Sequence, residues 1–444
     1  MQANIPKAVQ FLFSLLWLWG SLASGQSFRT LYDFTTLPAA GTNLDGANPR
    51  SYLVQSGGVL YGMTFNGGAT GYGSTFKVNT DGTGFTNLHS FTTSGGHPWS
   101  GLVLVGDRIY GTSRGSVGPT LGPGIVFALN TDGSGFTNLH VFNASSEGYS
   151  PTGGLIASGD TLFGTTSRGA TAFKLQTDGG GFTTLSGGTY AYGKLMLSGD
   201  RLFGTVAEGG PAVLFAVNTD GTGYTNLYTF STSNGINPYA GVTLAGDTLY
   251  GTALNGGASG KGTVYSVKTN GSGFNVLHHF TGGSESYPWG HLVLLGNTLY
   301  GTTAGFPEGY GTVYSINTDG TGYSILHSFS ALKNATNWDG ADLLTGLVLS
   351  SNALYGTTFM GGKYGSGTIF AFTLPPPQLS LTISENSAFL SWPTNIAGFH
   401  LQSCTNLDSS SPWEADYSGA GVVDGINTVT NTISESQKFY RLAQ

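Results

Sequence analysis

Asn-Thr-Asp-Gly recurs four times in the 444 residues, setting Asp81, Asp132, Asp220 and Asp319 two positions after Asn79, Asn130, Asn218 and Asn317. Acids repeated beside amides invite a calcium reading. Calcium takes roughly six to eight oxygens, several of them carboxylates in one loop. Each run offers one carboxylate and one amide. Asp-Gly is also the strongest short hairpin signal, because glycine supplies a positive φ. The runs therefore read as structural turns.

Histidines divide in the same way. His89, His140, His278 and His327 occupy one repeated strand position, which argues for a repeated packing role, and His97, His279, His291 and His400 have no second ligand at metal spacing. No H-E-x-x-H, G-x-S-x-G or phosphate-cradling Gly-Lys-Ser/Thr is present. A polysaccharide hydrolase or lyase, the enzymatic alternative, would need paired carboxylates facing one pocket. Of 23 acids, nine are repeated turn aspartates, and Glu147, Glu208, Glu285 and Glu308 are scattered between them. One place gathers acids. Residues 35–50 and 330–345 both carry Asp-Gly-Ala, and they become neighbours if the chain's ends meet. Asp45, Asp339 and Asp342 are then candidates to share a calcium ion, against a plain solvated patch.

Aromatics supply the remaining chemistry. Three residues before the first large apolar residue of each predicted innermost strand stand Arg50, Trp99, Thr152, Tyr192, Tyr239, Trp289 and Leu344. Trp99, Tyr192, Tyr239 and Trp289 are candidate ligand-binding residues at one rim, since flat rings with polar edges suit sugars or peptides. The competing reading, which residue statistics favour, wedges them between sheets.

Those positions follow from a repeat. A Tyr/Phe-Gly anchor recurs at Tyr61, Tyr110, Phe163, Phe203, Tyr250, Tyr300 and Tyr355, at intervals of 40 to 55 residues. Such a period, filled by strand signals with no room for a helix, predicts a β-propeller. Four strands are legible per copy. The third alternates bulky residues (Phe76/Val78, Phe127/Leu129, Tyr314/Ile316) with small ones, as a sheet packed on both faces requires. The outermost strand, Phe85–Phe91 in the first copy, is missing from the last. Phe28–Phe34 matches it, so the N-terminal strand is expected to complete the last blade. The expectation is an all-β, seven-bladed propeller over residues 26–374.

The flanks read differently. Residues 1–25, with Lys7 before the apolar run Phe11–Leu22 and small residues before Gln26, have the pattern of a cleaved signal peptide. No later apolar run is long enough to span a membrane, so a secreted or cell-surface protein is expected. Cys404 is the only cysteine, which leaves no internal disulfide. Pro375 to Pro377 form a stiff linker, and residues 378–444 read as a small β-sandwich-like module. With 73 glycines, 13% aromatic residues, 9% charged residues and a net charge of −7, nothing favours nucleic acid.

The motif series G-x-L-Y-G-T-T, G-x-G-T-V-Y/F and N-T-D-G-T-G-F/Y-x-x-L-H-x-F resembles the GloVer tandem repeat of exported bacterial proteins, over roughly residues 28–374. The C-terminal runs L-S-W-P, G-F-H-L-Q-S and F-Y-R-L are similar to a β-module that ends many such proteins. The resemblance implies fold and export, and no particular activity. The functional expectation is a non-enzymatic scaffold that binds carbohydrate or protein at one propeller face.

Overall fold

A computed structural model describes residues 26–443 except 94, 116–123, 144–146, 149, 188–189, 376–378, 385–386, 394–399, 406–411, 417–420, 424–425 and 433–437. The predicted signal peptide and two of the three linker prolines lie outside the described residues. No helix occurs among the described residues, hence none long and apolar enough to cross a membrane.

Antiparallel sheets recur along residues 27–373, each four strands deep in chain order. The second is typical: Val103–Val105, Arg108–Ser113, Ile125–Asn130 and Thr137–Val141. The first sheet adds the short strand Ala47–Pro49. In the seventh, Val348–Ser350, Ala353–Thr358 and Thr368–Thr373 come from residues 348–373, and the fourth strand is Ser27–Asp33, paired antiparallel to Thr368–Thr373.

Hydrophobic alternation builds the packing between sheets. Phe127 and Leu129 face one way into a cluster with Tyr61, Met63 and Phe91 of the first sheet. Val126 and Ala128 face the other way, with Leu162 and Phe173 of the third. Large residues on one face against small ones on the next let sheets interdigitate at core density. The same arrangement joins the seventh sheet to the first, where Tyr355 and Ile369 pack with Leu60, Phe76 and Phe34. Val348–Ser350 also lies alongside Val54–Ser56 of the first sheet.

The repeated histidines belong to a second layer of packing, between outermost strands. His89 stacks flat on Phe136 of the next sheet, centroids 3.7 Å apart. His140 on Phe182, Tyr228 on Phe274 and His278 on Tyr323 repeat the contact at 3.7–3.8 Å. The N-terminal strand makes it twice, through Phe28 with His327 at 3.9 Å and Tyr32 with Phe85 at 3.8 Å. Burial pushes His89 and His278 below the usual imidazole range, so the stacked ring is neutral.

The Asn-Thr-Asp-Gly runs are turns. Asp81 Oδ1 accepts from the Thr83 amide at 2.8 Å and its hydroxyl at 2.7 Å, and Asp132, Asp220 and Asp319 do the same for Ser134, Thr222 and Thr321. One oxygen of each carboxylate is thereby engaged within its own turn.

Beyond residue 379 the chain forms two small sheets, one of four strands (Ser380–Ser384, Ser387–Pro393, Ile426–Thr432, Gly421–Val423) and one of three (Glu414–Ala415, His400–Cys404, Phe439–Ala443). Leu390, Trp392, Leu401 and Val429 share one buried cluster, and Cys404 is a buried free thiol.

Candidate functional site

A buried aliphatic residue immediately precedes each innermost strand: Leu53, Leu102, Leu155, Leu195, Val242, Leu292 and Leu347. That residue is pinned beneath the glycine of the Tyr/Phe-Gly anchor. A Cβ on Gly62 would lie 2.5 Å from Phe76 Cζ and 2.7 Å from Leu53 Cδ2, so the anchor admits only glycine. The entry is thereby set at the same place in every copy.

Three residues upstream, the predicted rim aromatics meet. Trp99, Tyr192, Tyr239 and Trp289 line one pocket of about 50 Å³, and Arg50, Thr152 and Leu344 complete its wall. All four rings are half-buried, and Tyr192, Tyr239 and Trp289 form a chain of ring contacts. Tyr239 and Trp289 stack with centroids 4.9 Å apart and planes 2° from parallel. Tyr192 meets Tyr239 edge-on at 4.9 Å. Arg50 sits over Trp99, its Cζ 3.2 Å from the ring centroid, and 5.8 Å from that of Trp289. Arg114 approaches Trp99 at 5.0 Å. Neither expected state describes them: they are packed on one side and open to the pocket on the other.

Charges are unevenly distributed round this mouth. Burial brings Arg50 down to about 9, against the opposing pull of Asp342. Glu208 accepts from the Tyr192 hydroxyl at 3.1 Å and from that of Tyr239. Burial, helped by Glu208, moves Tyr192 up to about 12, so both tyrosines are hydrogen-bond donors at neutral pH.

Sequence reasoning missed the residue immediately before each buried aliphatic. The seven copies there read Tyr52, Gly101, Gly154, Lys194, Gly241, His291 and Gly346, and all seven line the same pocket or adjoin it. Tyr52 reaches from the first sheet towards the third. A Cβ on Gly101 would fall 1.8 Å from its ring, and one on Gly154 would fall 1.4 Å from its hydroxyl oxygen. That hydroxyl is buried against the backbone of Gly101 and Gly154, and nothing among the described residues accepts its proton. His291 meets the Tyr52 ring edge-on at 4.9 Å, and Lys194 Nζ stands 5.3 Å from its centroid. Lys194 and His291 also line an adjoining cavity of about 310 Å³, walled by Ile156, Leu195, Leu197 and Val242. The signal was available, because four glycines and three large polar residues alternate at one repeated position.

Asp45, Asp339 and Asp342 are all buried, so the acidic corner is not a solvated patch. Asp45 is spent within its own loop, accepting from the Thr35 amide at 2.8 Å, the Thr35 hydroxyl at 2.5 Å and Tyr32 Oη at 3.0 Å. Asp339 does the same, with the Ser330 amide, the Ser330 hydroxyl and His327 Nε2. Asp342 is buried at a positive φ of 61°, and burial pushes its carboxyl up to about 6. Among the described residues no group of three or more His, Cys, Asp or Glu is placed to hold a metal ion. The long loops repeat a hydrogen-bonded turn, which is why both carry Asp-Gly-Ala.

A model of the Gloeobacter/Verrucomicrobia repeat matches residues 20–212 and, in a second overlapping match, residues 170–306. A search of the curated proteins finds no match. Among solved structures, the crystal structure of a nidogen/laminin complex is similar over 57% of this chain and 90% of that one, at 15% identity and a TM-score of 0.41.

Proposed function

This chain belongs to the Gloeobacter/Verrucomicrobia repeat family, and from that premise we propose that its repeated sheets close into a seven-bladed propeller acting as an exported, non-enzymatic binding scaffold. Two observations support closure: the N-terminal strand pairs with Thr368–Thr373, and the first and seventh sheets share a core. Export rests on the pattern of residues 1–25. The ligand is carbohydrate or protein, and it enters at the axial end where the seven innermost strands begin.

One observation carries the binding role. Entry residues from all seven sheets line a single pocket, and four of them are aromatic. A repeat scaffold does not need Trp, Tyr, Arg, Thr and Leu at one equivalent position, so the variation is free to serve a ligand. Among the described residues no carboxylate lines that pocket, where a polysaccharide hydrolase would use a pair. A glycan array run beside an activity screen on the same polysaccharides tests the reading. Binding without turnover is expected. Released oligosaccharide would replace the scaffold with an enzyme.

A further inference from the structure

Positive charge is scarce in this protein, with 16 Lys and Arg in a chain of net charge −7. Arg50 and Lys194 nevertheless line the same small pocket, beside His291 and with no Asp or Glu in its wall. Lys194 is half-buried, its Nζ 5.3 Å from the centre of the Tyr52 ring, and no carboxylate among the described residues acts on its ammonium. A partly desolvated cation with no carboxylate beside it leaves its counter-charge to solvent or to a ligand. The fold has been fitted round this group. Glycine at 101 and 154 leaves the space that Tyr52 fills, and a Cβ on Gly346 would fall 2.3 Å from His291 Nδ1.

We propose that Lys194, Tyr52 and His291 form the floor of an anion subsite that receives the carboxylate of an acidic sugar, a hexuronate unit of a larger glycan. This rests on the axial binding role proposed above and names its ligand class. Lys194 offers the charge and His291 a ring N–H, and the Tyr52 ring between them packs against both. At the mouth, Tyr239 and Trp289 provide an apolar edge for the sugar ring, and Glu208 provides an acceptor for its hydroxyl protons. Glu208 also decides between occupants. A sugar presents hydroxyls to it, whereas an acidic peptide would bring further carboxylates against Glu208 and Asp342.

Calorimetric titration of the full chain decides the matter, with an oligogalacturonate, its methyl ester and an oligoglutamate as probes. The oligogalacturonate should bind, and the neutral ester should bind at least about tenfold more weakly, the cost of losing one charge-assisted contact. Lys194→Met should remove that preference while melting no lower than the parent, because it replaces an unpaired cation with an apolar side chain. Lys194→Arg should keep the preference, which controls for distortion of the floor. Equal binding of acid and ester would overturn the anion subsite and leave the axial binding role standing. Binding of oligoglutamate alone would overturn the sugar class. Trp289→Ala tests the underlying role separately: it should weaken acid and ester alike, and no effect on either would move the site away from the mouth.

Discussion

The outermost strands and the innermost-strand entries belong to the same repeat and obey opposite rules. At the periphery each copy meets only its neighbours, so one solution serves every interface: His89 on Phe136, His140 on Phe182, His278 on Tyr323. At the entries the copies meet in one pocket, and one solution cannot serve all. A side chain like Tyr52 already fills the space that Cβ atoms at 101 and 154 would take. Identical large residues would collide, so most copies must be small. Regularity marks what the fold repeats, and irregularity marks where its copies converge.

The comparison can be broken first at the periphery. A chain starting at Thr35 loses Phe34, fully buried, together with the Phe28 and Tyr32 stacks, and leaves the edge of Thr368–Thr373 unpaired. The expected loss exceeds about 5 kcal/mol, since single large aromatics cost about 3–5 kcal/mol when truncated in a core. Denaturant unfolding would measure it, with aggregation as a second sign. An unchanged midpoint would remove the N-terminal strand from the seventh sheet.

A pair of substitutions sharpens the contrast. Phe127→Ala empties the interface between the first and second sheets and should cost about 3–5 kcal/mol. Trp289→Ala removes a half-buried ring whose main contact is the Tyr239 stack, and should cost about 1–2 kcal/mol, one aromatic pair plus modest burial. Comparable losses from both would make the mouth ordinary core.

These differences explain what the sequence disclosed. Strand order, the bulky and small faces of the third strand, the missing outer strand and the packing histidines were legible because each repeats, and repetition separates signal from chance. The convergence of Trp99, Tyr192, Tyr239 and Trp289 in one pocket was legible for the same reason, since they share a position. Their mutual stacking and the cover of Arg50 over Trp99 were not, because χ angles set them. Lys194 escaped notice, and His291 was weighed only as a metal ligand, because each stands alone in its copy. The loop hydrogen bonds of Asp45 and Asp339 were not legible, because a loop-capping acid and a metal ligand look alike in sequence.

Acid unfolding probes the mouth again, with a smaller expected effect. Burial, and then the charge of Lys194, hold His291 down to about 3 against an ordinary 6.5. The unfolded chain therefore takes up this proton first as the pH falls. The contribution is fully present above about 6.5 and is lost progressively towards 3. Asp342 works the other way: its stabilising contribution, present below its ordinary 3.8, is lost as pH rises towards 6. His291→Gln should flatten the parent's loss of stability between pH 6.5 and 3, read as the urea midpoint at each pH. Parallel curves would mean that His291 is not confined as described.

The smallest effect belongs to the turns, and it bears on what the repeated aspartates are for. Five turns hold a hydroxyl and an amide on one side-chain oxygen, and in one of them that oxygen is an amide: Asn270 Oδ1 accepts from the Ser272 amide at 2.9 Å and its hydroxyl at 2.7 Å. The turn thus needs an acceptor, not a negative charge. The aspartates gain a little more from the same bonds, led by the side-chain hydroxyl of Thr222 in the case of Asp220, and their carboxyls are held below the ordinary range. Asp220→Asn should leave the melting midpoint at pH 7 almost unchanged, and Asp220→Ala should lower it slightly by freeing the Thr222 amide and hydroxyl. The difference between aspartate and asparagine should be full above the ordinary 3.8 and vanish as the pH falls from there through the lowered value of the folded carboxyl. If asparagine proved as damaging as alanine, charge would matter at this position, and a bound cation would again be the natural explanation for the repeated acid.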